Sequence, residues 1–175
     1  MAKARKKAYY LSARDARFFT GLTLAVFITS HLVNHALGLV SIEAMEAYRK
    51  VHSAIWQSPP GAVALYGSIA VHLFLALYAL FQRSHLRLSV GAAVQLLFGL
   101  MVPIFLIKHV VGSRLVPFIF DFDATYYYAI SFLYLDDWNF WQQTALIVIV
   151  WCHLCVGLYF WLRVKPIYEK CKALC

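Results

Sequence analysis

Four long apolar stretches divide this chain, separated by charged or turn-forming residues. They cover about 18–40, 61–82, 89–112 and 143–163. A hydrocarbon core about 30 Å thick takes roughly 20 helical residues to cross, at a rise of about 1.5 Å each. The pattern therefore predicts four membrane-spanning helices. A different pattern holds between the first two, from Ser41 to Trp56. There Glu43, Glu46, Arg49 and Lys50 recur at helical spacing, while Met45, Tyr48, His52 and Trp56 line the opposite face. Ser58-Pro59-Pro60 ends the stretch. This predicts an amphipathic helix on the outer membrane surface.

The link between the second and third stretches is short, which makes those helices antiparallel neighbours. Pro103 lies inside the third, where a kink is tolerated if neighbouring groups satisfy the freed carbonyl. Residues 113–142 form the longest non-spanning segment. Its Tyr126, Tyr127, Tyr128, Tyr134, Trp138 and Trp141 have the character of an interfacial aromatic belt. Ser12 is placed to cap an amphipathic start to the first helix. No internal repeat, low-complexity run or soluble catalytic domain stands out. The expected class is all-α, a polytopic four-helix membrane bundle with one surface helix. Residues 1–17 form a basic segment, 18–163 the transmembrane domain, and 164–175 a C-terminal segment.

Composition agrees with the membrane assignment. The chain is 62% hydrophobic and only 14% charged, against about 25% charged for a soluble domain. The first stretch exceeds the 7–15 residues of a signal-peptide core and has no small-residue cleavage site after it. A net charge of +8 would suit nucleic acid, but its distribution excludes that partner. Lys3, Arg5, Lys6, Lys7, Arg14, Arg17, Arg83, Arg87, Arg163, Lys165, Lys170 and Lys172 all fall on one side of the predicted topology. The positive-inside rule makes that side cytoplasmic, with both termini there. The basic N-terminal tail suits anionic lipid head groups. Cys152 and Cys155 lie within the fourth stretch; Cys171 and Cys175 lie on the cytoplasmic side, where thiols stay reduced. No Cys-x-x-Cys-His is present, so covalent haem attachment is not expected.

The candidate chemistry is in the histidines. His31, His72, His109 and His153 fall one to each apolar stretch. An imidazole in hydrocarbon is costly and normally faces the protein interior. Four of them, on four helices, are the minimum set for two b-type haems with two axial imidazoles each. A single such residue would more simply be a hydrogen-bonded packing group. His72 and His153 sit at matched depth on helices of the same direction and pair for the haem nearer the cytoplasm. His109, near the outer end of its helix, pairs with His31 or His35, which share one face. Depth slightly favours His35. Ala76 and Gly157, each four positions beyond a proposed ligand, leave room for a flat macrocycle. His52 and His85 lie outside the spans and read as interfacial or solvated.

Propionates need cations near the membrane surfaces. Arg114, Lys108 and Arg49 are candidates for the outer haem, and Arg17, Arg83 and Arg163 for the inner one; plain phosphate anchoring competes for each. A quinone, implied by the family resemblance described next, needs a polar, proton-competent group beside an apolar slot. His35, Asn34 and Trp56 are the candidates.

The run Thr20-Gly21-Leu22 to Asn34, with the segments around His72, His109 and His153, resembles the dihaem cytochrome b subunits of succinate:quinone and quinol:fumarate reductases. That resemblance implies His31, His72, His109 and His153 as axial ligands and selects His31 over His35. A second group of the same ancestry is more similar. Asn34-His35-Ala36-Leu37-Gly38-Leu39, Gln95-Leu96-Leu97-Phe98-Gly99-Leu100, His109-Val110-Val111-Gly112-Ser113-Arg114 and the ending Tyr159-Phe160-Trp161-Leu162-Arg163 resemble the quinone-responsive membrane anchors of bacterial class III adenylate cyclases, across about 15–168.

The resemblance implies two haems b, a quinone or quinol partner, and a bacterial inner-membrane location. It also implies a cytoplasmic adenylate cyclase domain as effector, with a homodimer as one assembly. Dehydrogenase subunits are the partners under the alternative. The chain alone is not expected to be an enzyme, and a haem-free transport or structural protein is the third class.

Overall fold

The computed structural model describes residues 2–85, 87–165 and 168, with side chains from residue 13 onward. The side chains of Lys3, Arg5, Lys6, Lys7 and Ser12, and residues Lys170, Cys171, Lys172 and Cys175, lie outside the described set. All described elements are helical. Four helical segments are long and apolar enough to cross a membrane: Ala13–Leu37, Pro59–Phe81, Val90–Ile119 and Asp137–Leu162. The chain divides into two compact units, residues 1–86 and 87–175.

The first unit holds α1 (Ala2–Leu37), α2 (Ile42–Trp56) and α3 (Pro59–Phe81). Helix α1 runs unbroken through Ser12, so that residue is not a cap. It ends at Leu37, earlier than hydropathy suggests. There Gly38 N–H donates to the His35 carbonyl at 3.1 Å and Ser41 N–H to the Leu37 carbonyl at 3.1 Å, which tightens the chain into a turn despite its apolar side chains. Ser41 then starts α2, accepting the Ala44 amide on its hydroxyl at 3.1 Å. Hydrogen bonds from its own backbone amide and from Ser41 hold the Glu43 carboxyl below its ordinary range.

Helix α2 carries the expected two faces. Met45 and His52 are buried and Glu43 and Lys50 exposed, while Arg49 pairs with Glu46 at 2.8 Å. The apolar face covers α1 and α3 of its own unit. Ser58 caps α3, accepting the Gly61 amide at 3.2 Å. Pro59 and Pro60 form its first turn, where a missing N–H costs nothing because those amides have no helical acceptor.

The second unit holds α4 (Val90–Val110), a π turn (Val111–Leu115), α5 (Val116–Ile119), α6 (Tyr126–Tyr134) and α7 (Asp137–Leu162). Helix α4 continues through Pro103, whose ring leaves the Gly99 carbonyl without its helical donor. The interruption comes later. At the π turn the Val116 amide donates back to the Val111 carbonyl, one residue further than in an α-helix. That shift releases the Gly112 carbonyl, and Tyr128 Oη donates to it at 2.8 Å. The third span therefore extends to Ile119, where hydropathy alone ended it at 112.

The aromatic segment also orders more than its composition suggests. Thr125 caps α6, which precedes α7 directly. Asp136 caps α7, accepting the Trp138 amide at 3.1 Å, and Asn139 Nδ2 donates to the Phe132 carbonyl at 3.0 Å. Asn139 is buried and ties the end of α6 to the start of α7. The fourth span accordingly begins at Asp137.

Replacing the α2 cap by Ser41→Ala should destabilise that helix by about 1 kcal/mol. Amide hydrogen exchange over Ile42–Tyr48 should accelerate, with α3 unchanged.

Candidate functional site

Each unit seats one histidine in the same way. In the first unit His72 of α3 lies over Gly21 of α1, with its Nδ1 3.1 Å from the Arg17 carbonyl. In the second, His153 of α7 lies over Gly99 of α4, with its Nδ1 3.2 Å from the Gln95 carbonyl. A carbonyl can only accept, so Nδ1 carries the hydrogen in both rings. In a neutral imidazole Nε2 is then the basic nitrogen, which is the form that binds a metal. The accepting carbonyl stands four residues before the glycine in both units.

The glycines make the seats possible. A Cβ at Gly21 would come within 3.0 Å of His72 Cε1, and one at Gly99 within 2.8 Å of His153 Cε1. Any side chain there displaces the ring from its carbonyl. The role foreseen for Gly157 is different: a Cβ there would meet the Gln95 amide at 3.1 Å, so its clearance is taken by a side chain.

His109 takes the same tautomer by another route. Its Nδ1 is 3.0 Å from Gln143 Oε1 of α7, and an amide oxygen again only accepts. His31 is the exception. Its Nε2 is 3.2 Å from His35 Nε2, with the rings nearly perpendicular and 4.7 Å apart. Coordination through that nitrogen requires His35 to turn away. The revised helix ends bear on the choice between the two. With α1 ending at Leu37 and the third span reaching Ile119, His35 sits in the last turn of its span. His31 lies further inside, as His109 does.

The units also share a register. One fixed shift along the chain carries Gly21, Leu22, Phe27, His31 and Val33 onto Gly99, Leu100, Phe105, His109 and Val111. A nearly equal shift carries Leu65, His72, Leu73, Leu77 and Tyr78 onto Leu146, His153, Leu154, Leu158 and Tyr159. Leu65 and Leu146 are both buried. Under this register His31 matches His109, whereas His35 matches Ser113. A repeat is thus present that inspection of the sequence passed over. Its visible signal was a glycine at the same distance before a histidine, twice.

His52 was also missed. It is 8% exposed, not solvated. Its Nε2 is 3.2 Å from Ser30 Oγ, whose own hydroxyl donates to the Phe27 carbonyl at 2.9 Å. Phe27 stacks on His31 at 5.6 Å and meets Trp56 edge-on at 5.2 Å, and the His52 ring lies 5.8 Å from that of His31. Asn34 is 5% exposed, and its Oδ1 is buried with no hydrogen-bond partner among the described residues. His31, His35, His52, Phe27 and Trp56 therefore form one aromatic cluster, at the end of α1 covered by α2. His85 is exposed, as expected.

The cationic candidates are dispersed. Lys108 is hydrogen-bonded to Asn139 and lies 5.8 Å from the centre of the Phe132 ring, beside a cavity of about 450 Å³ that Gly112 and Tyr128 also line. Arg114 is within the π turn. Arg49 is paired with Glu46. Arg17 Nη1 donates to the Leu75 carbonyl at 3.4 Å, Arg163 stacks 4.7 Å from the centre of Phe160, and Arg83 is exposed just past α3. Among the described residues, no group of three or more His, Cys, Asp or Glu side chains is arranged to hold a bare metal ion. A haem iron asks less of the protein, one imidazole on each face. The tautomers of His72, His109 and His153 and the two glycine cradles fit that demand.

Gly99→Ala and Gly21→Ala should each cost about 1–3 kcal/mol through overpacking, read as a lowered unfolding temperature in detergent. Gly67→Ala is the control. It has nothing within 4 Å of a new Cβ and should be neutral or stabilising, since glycine inside a helix costs roughly 0.5–1 kcal/mol relative to alanine. No protein-family model matches this chain, and neither does any curated protein or solved structure.

Proposed function

We propose that this chain is a dihaem b membrane anchor that exchanges electrons with membrane quinone and reports the redox state of the quinone pool to a cytoplasmic adenylate cyclase. The observation that carries this proposal is the paired imidazole seat. Two histidines in separate units are held over a glycine, each with Nδ1–H on a backbone carbonyl. A packing histidine needs a hydrogen-bond partner, but it does not need the same partner, tautomer and cradle twice.

The ligand set is His31, His72, His109 and His153. The register that matches His31 with His109 supports His31 over His35, as does its position inside the span. Bound haem would supply one-electron chemistry. The protein's part is to hold each ring at a fixed angle, keep Nε2 proton-free, and strengthen its basicity through the bond at Nδ1. His35 must leave the His31 nitrogen, which releases its own Nε2 for a propionate or a quinone carbonyl.

The quinone site is proposed at the end of α1, at His35, Asn34 and Trp56, with His52 beside Trp56. Asn34 Oδ1 has no partner among the described residues, and a hydroquinone hydroxyl would supply the missing donor. The aromatic walls of Phe27 and Trp56 suit a flat ring. Arg114 and Lys108, with Arg17, Arg83 and Arg163, remain the proposed propionate partners. Arg49 would have to give up Glu46. The location is proposed as the bacterial inner membrane, with both termini cytoplasmic by the charge asymmetry.

The test is a reduced-minus-oxidised spectrum of the purified chain with pyridine haemochrome stoichiometry. Wild type should hold about two haems b per chain, four imidazoles at two per iron. His31→Ala should lose one and His35→Ala neither. Loss only in His35→Ala would overturn the assignment of His31. A folded wild type that takes up no haem would end the electron-transfer proposal. Copurification with a flavoprotein and an iron–sulphur subunit would replace the cyclase by a respiratory partner.

A further inference from the structure

The shared register allows the two imidazole seats to be compared position by position. Gly21 corresponds to Gly99, the Arg17 carbonyl to the Gln95 carbonyl, and His72 to His153. One neighbour differs. Thr20 stands where the second unit has Phe98. Thr20 Oγ1 is 2.8 Å from the Ala16 carbonyl, 3.1 Å from the Arg17 carbonyl and 3.4 Å from His72 Nδ1.

A hydroxyl has one hydrogen to give. Carbonyls only accept, so that hydrogen goes to α1's own backbone, at the shorter distance to Ala16. The lone pairs of Thr20 Oγ1 are then left for the Nδ1 hydrogen of His72. That hydrogen is already directed at the Arg17 carbonyl, and the bond becomes three-centred, a common arrangement where a hydroxyl folds back on its helix. Phe98, at the matching place in the second unit, has no acceptor to offer.

We propose that Thr20 is a positioning residue whose hydroxyl oxygen shares the Nδ1 hydrogen of His72, making that seat more electron-donating than the Arg17 carbonyl alone would. Its redox consequence rests on the haem function proposed above. A stronger acceptor at Nδ1–H gives the imidazole more anionic character and makes Nε2 a better donor. That favours the more oxidised iron and lowers its reduction potential. A residue that neither touches the iron nor carries charge would thereby set the haem bound by His72 apart from the other haem.

The experiment pairs two variants with two readouts on the full chain. Thr20→Val keeps the shape and removes the hydroxyl; Thr20→Ser keeps the hydroxyl. In a redox titration, the haem that disappears in His72→Ala should shift to higher potential in Thr20→Val and return in Thr20→Ser. The haem that disappears in His31→Ala should stay in place. In ¹⁵N spectra of histidine-labelled protein, the His72 Nδ1 resonance should move in Thr20→Val while that of His153 does not. Unchanged potentials and resonances in Thr20→Val, or an equal shift of both haems, overturn the proposal. A protein that binds no haem but whose His72 resonance responds refutes the haem function and leaves the seat standing.

Discussion

An imidazole N–H placed between two apolar helices has few acceptors within reach. Water is absent, leucine and phenylalanine side chains accept nothing, and the helix carbonyls are largely engaged by their own amides. An N–H left without a partner in such surroundings costs several kcal/mol. His72 and His153 meet this constraint by lying close enough to a neighbouring helix to reach its backbone. That approach dictates much else: a glycine under the ring, a carbonyl one helical turn away, and one tautomer. A larger side chain at Gly21 or Gly99 would lift the ring away from its acceptor. Pro103 leaves the Gly99 carbonyl without its helical donor, so the second seat is built on a backbone already short of hydrogen bonds.

Much of this was legible in the chain. Membrane character, the amphipathic face of α2 and the four intramembrane histidines follow from hydropathy and spacing, because those signals are periodic and local. Helix ends were less legible. Hydropathy continued past Leu37 because Leu39 and Val40 are apolar, although the backbone turns there. It stopped short of Ile119 because Ser113 and Arg114 are polar, although the helical path continues through a π turn. Caps decide such ends, and a cap is one hydroxyl or carboxylate rather than a trend. The seats were not legible at all. A histidine's partner carbonyl on another helix leaves no mark in the residue type that carries it, since Arg17 and Gln95 contribute backbone. His52 was misjudged for a related reason. The pattern puts it on the apolar face of α2, and a place outside the spans reads as interfacial or solvated; that face is the one turned inward, and His52 is buried with it.

The repeat separates a common frame from what each unit adds. Common to both are the glycine, the carbonyl and the two histidines in fixed register. The first unit adds His35 and His52, which bring three imidazoles together at the end of α1. The second adds a cation and a backbone defect. Lys108 stands where the first unit has Ser30, and a buried asparagine holds it; Tyr128 satisfies the carbonyl that the π turn releases. In both units the residue just before the outer histidine is held by a hydrogen bond from outside its helix, Ser30 to His52 and Lys108 to Asn139. Both bonds are partly buried and run from one helix to another within the unit.

That division bears on which histidine belongs to the frame. Depth measured from hydropathy ends had favoured His35, because the first span was drawn too long and the third too short. Both errors pushed the expected match outward. With both ends corrected, the position of His109 within its own span is nearer to that of His31 within its own than to that of His35, which supports the proposed choice. His35 then has no counterpart in the second unit and no part in the shared frame. Its contact with His31 places a second titratable ring against the first, beside the cluster that Phe27 of α1 forms with His52 and Trp56 of α2. A residue found in one copy of a repeat and missing from the other is where the copies have diverged in task. On that ground the end of α1, rather than either seat, is the part to which the proposed exchange with quinone is assigned.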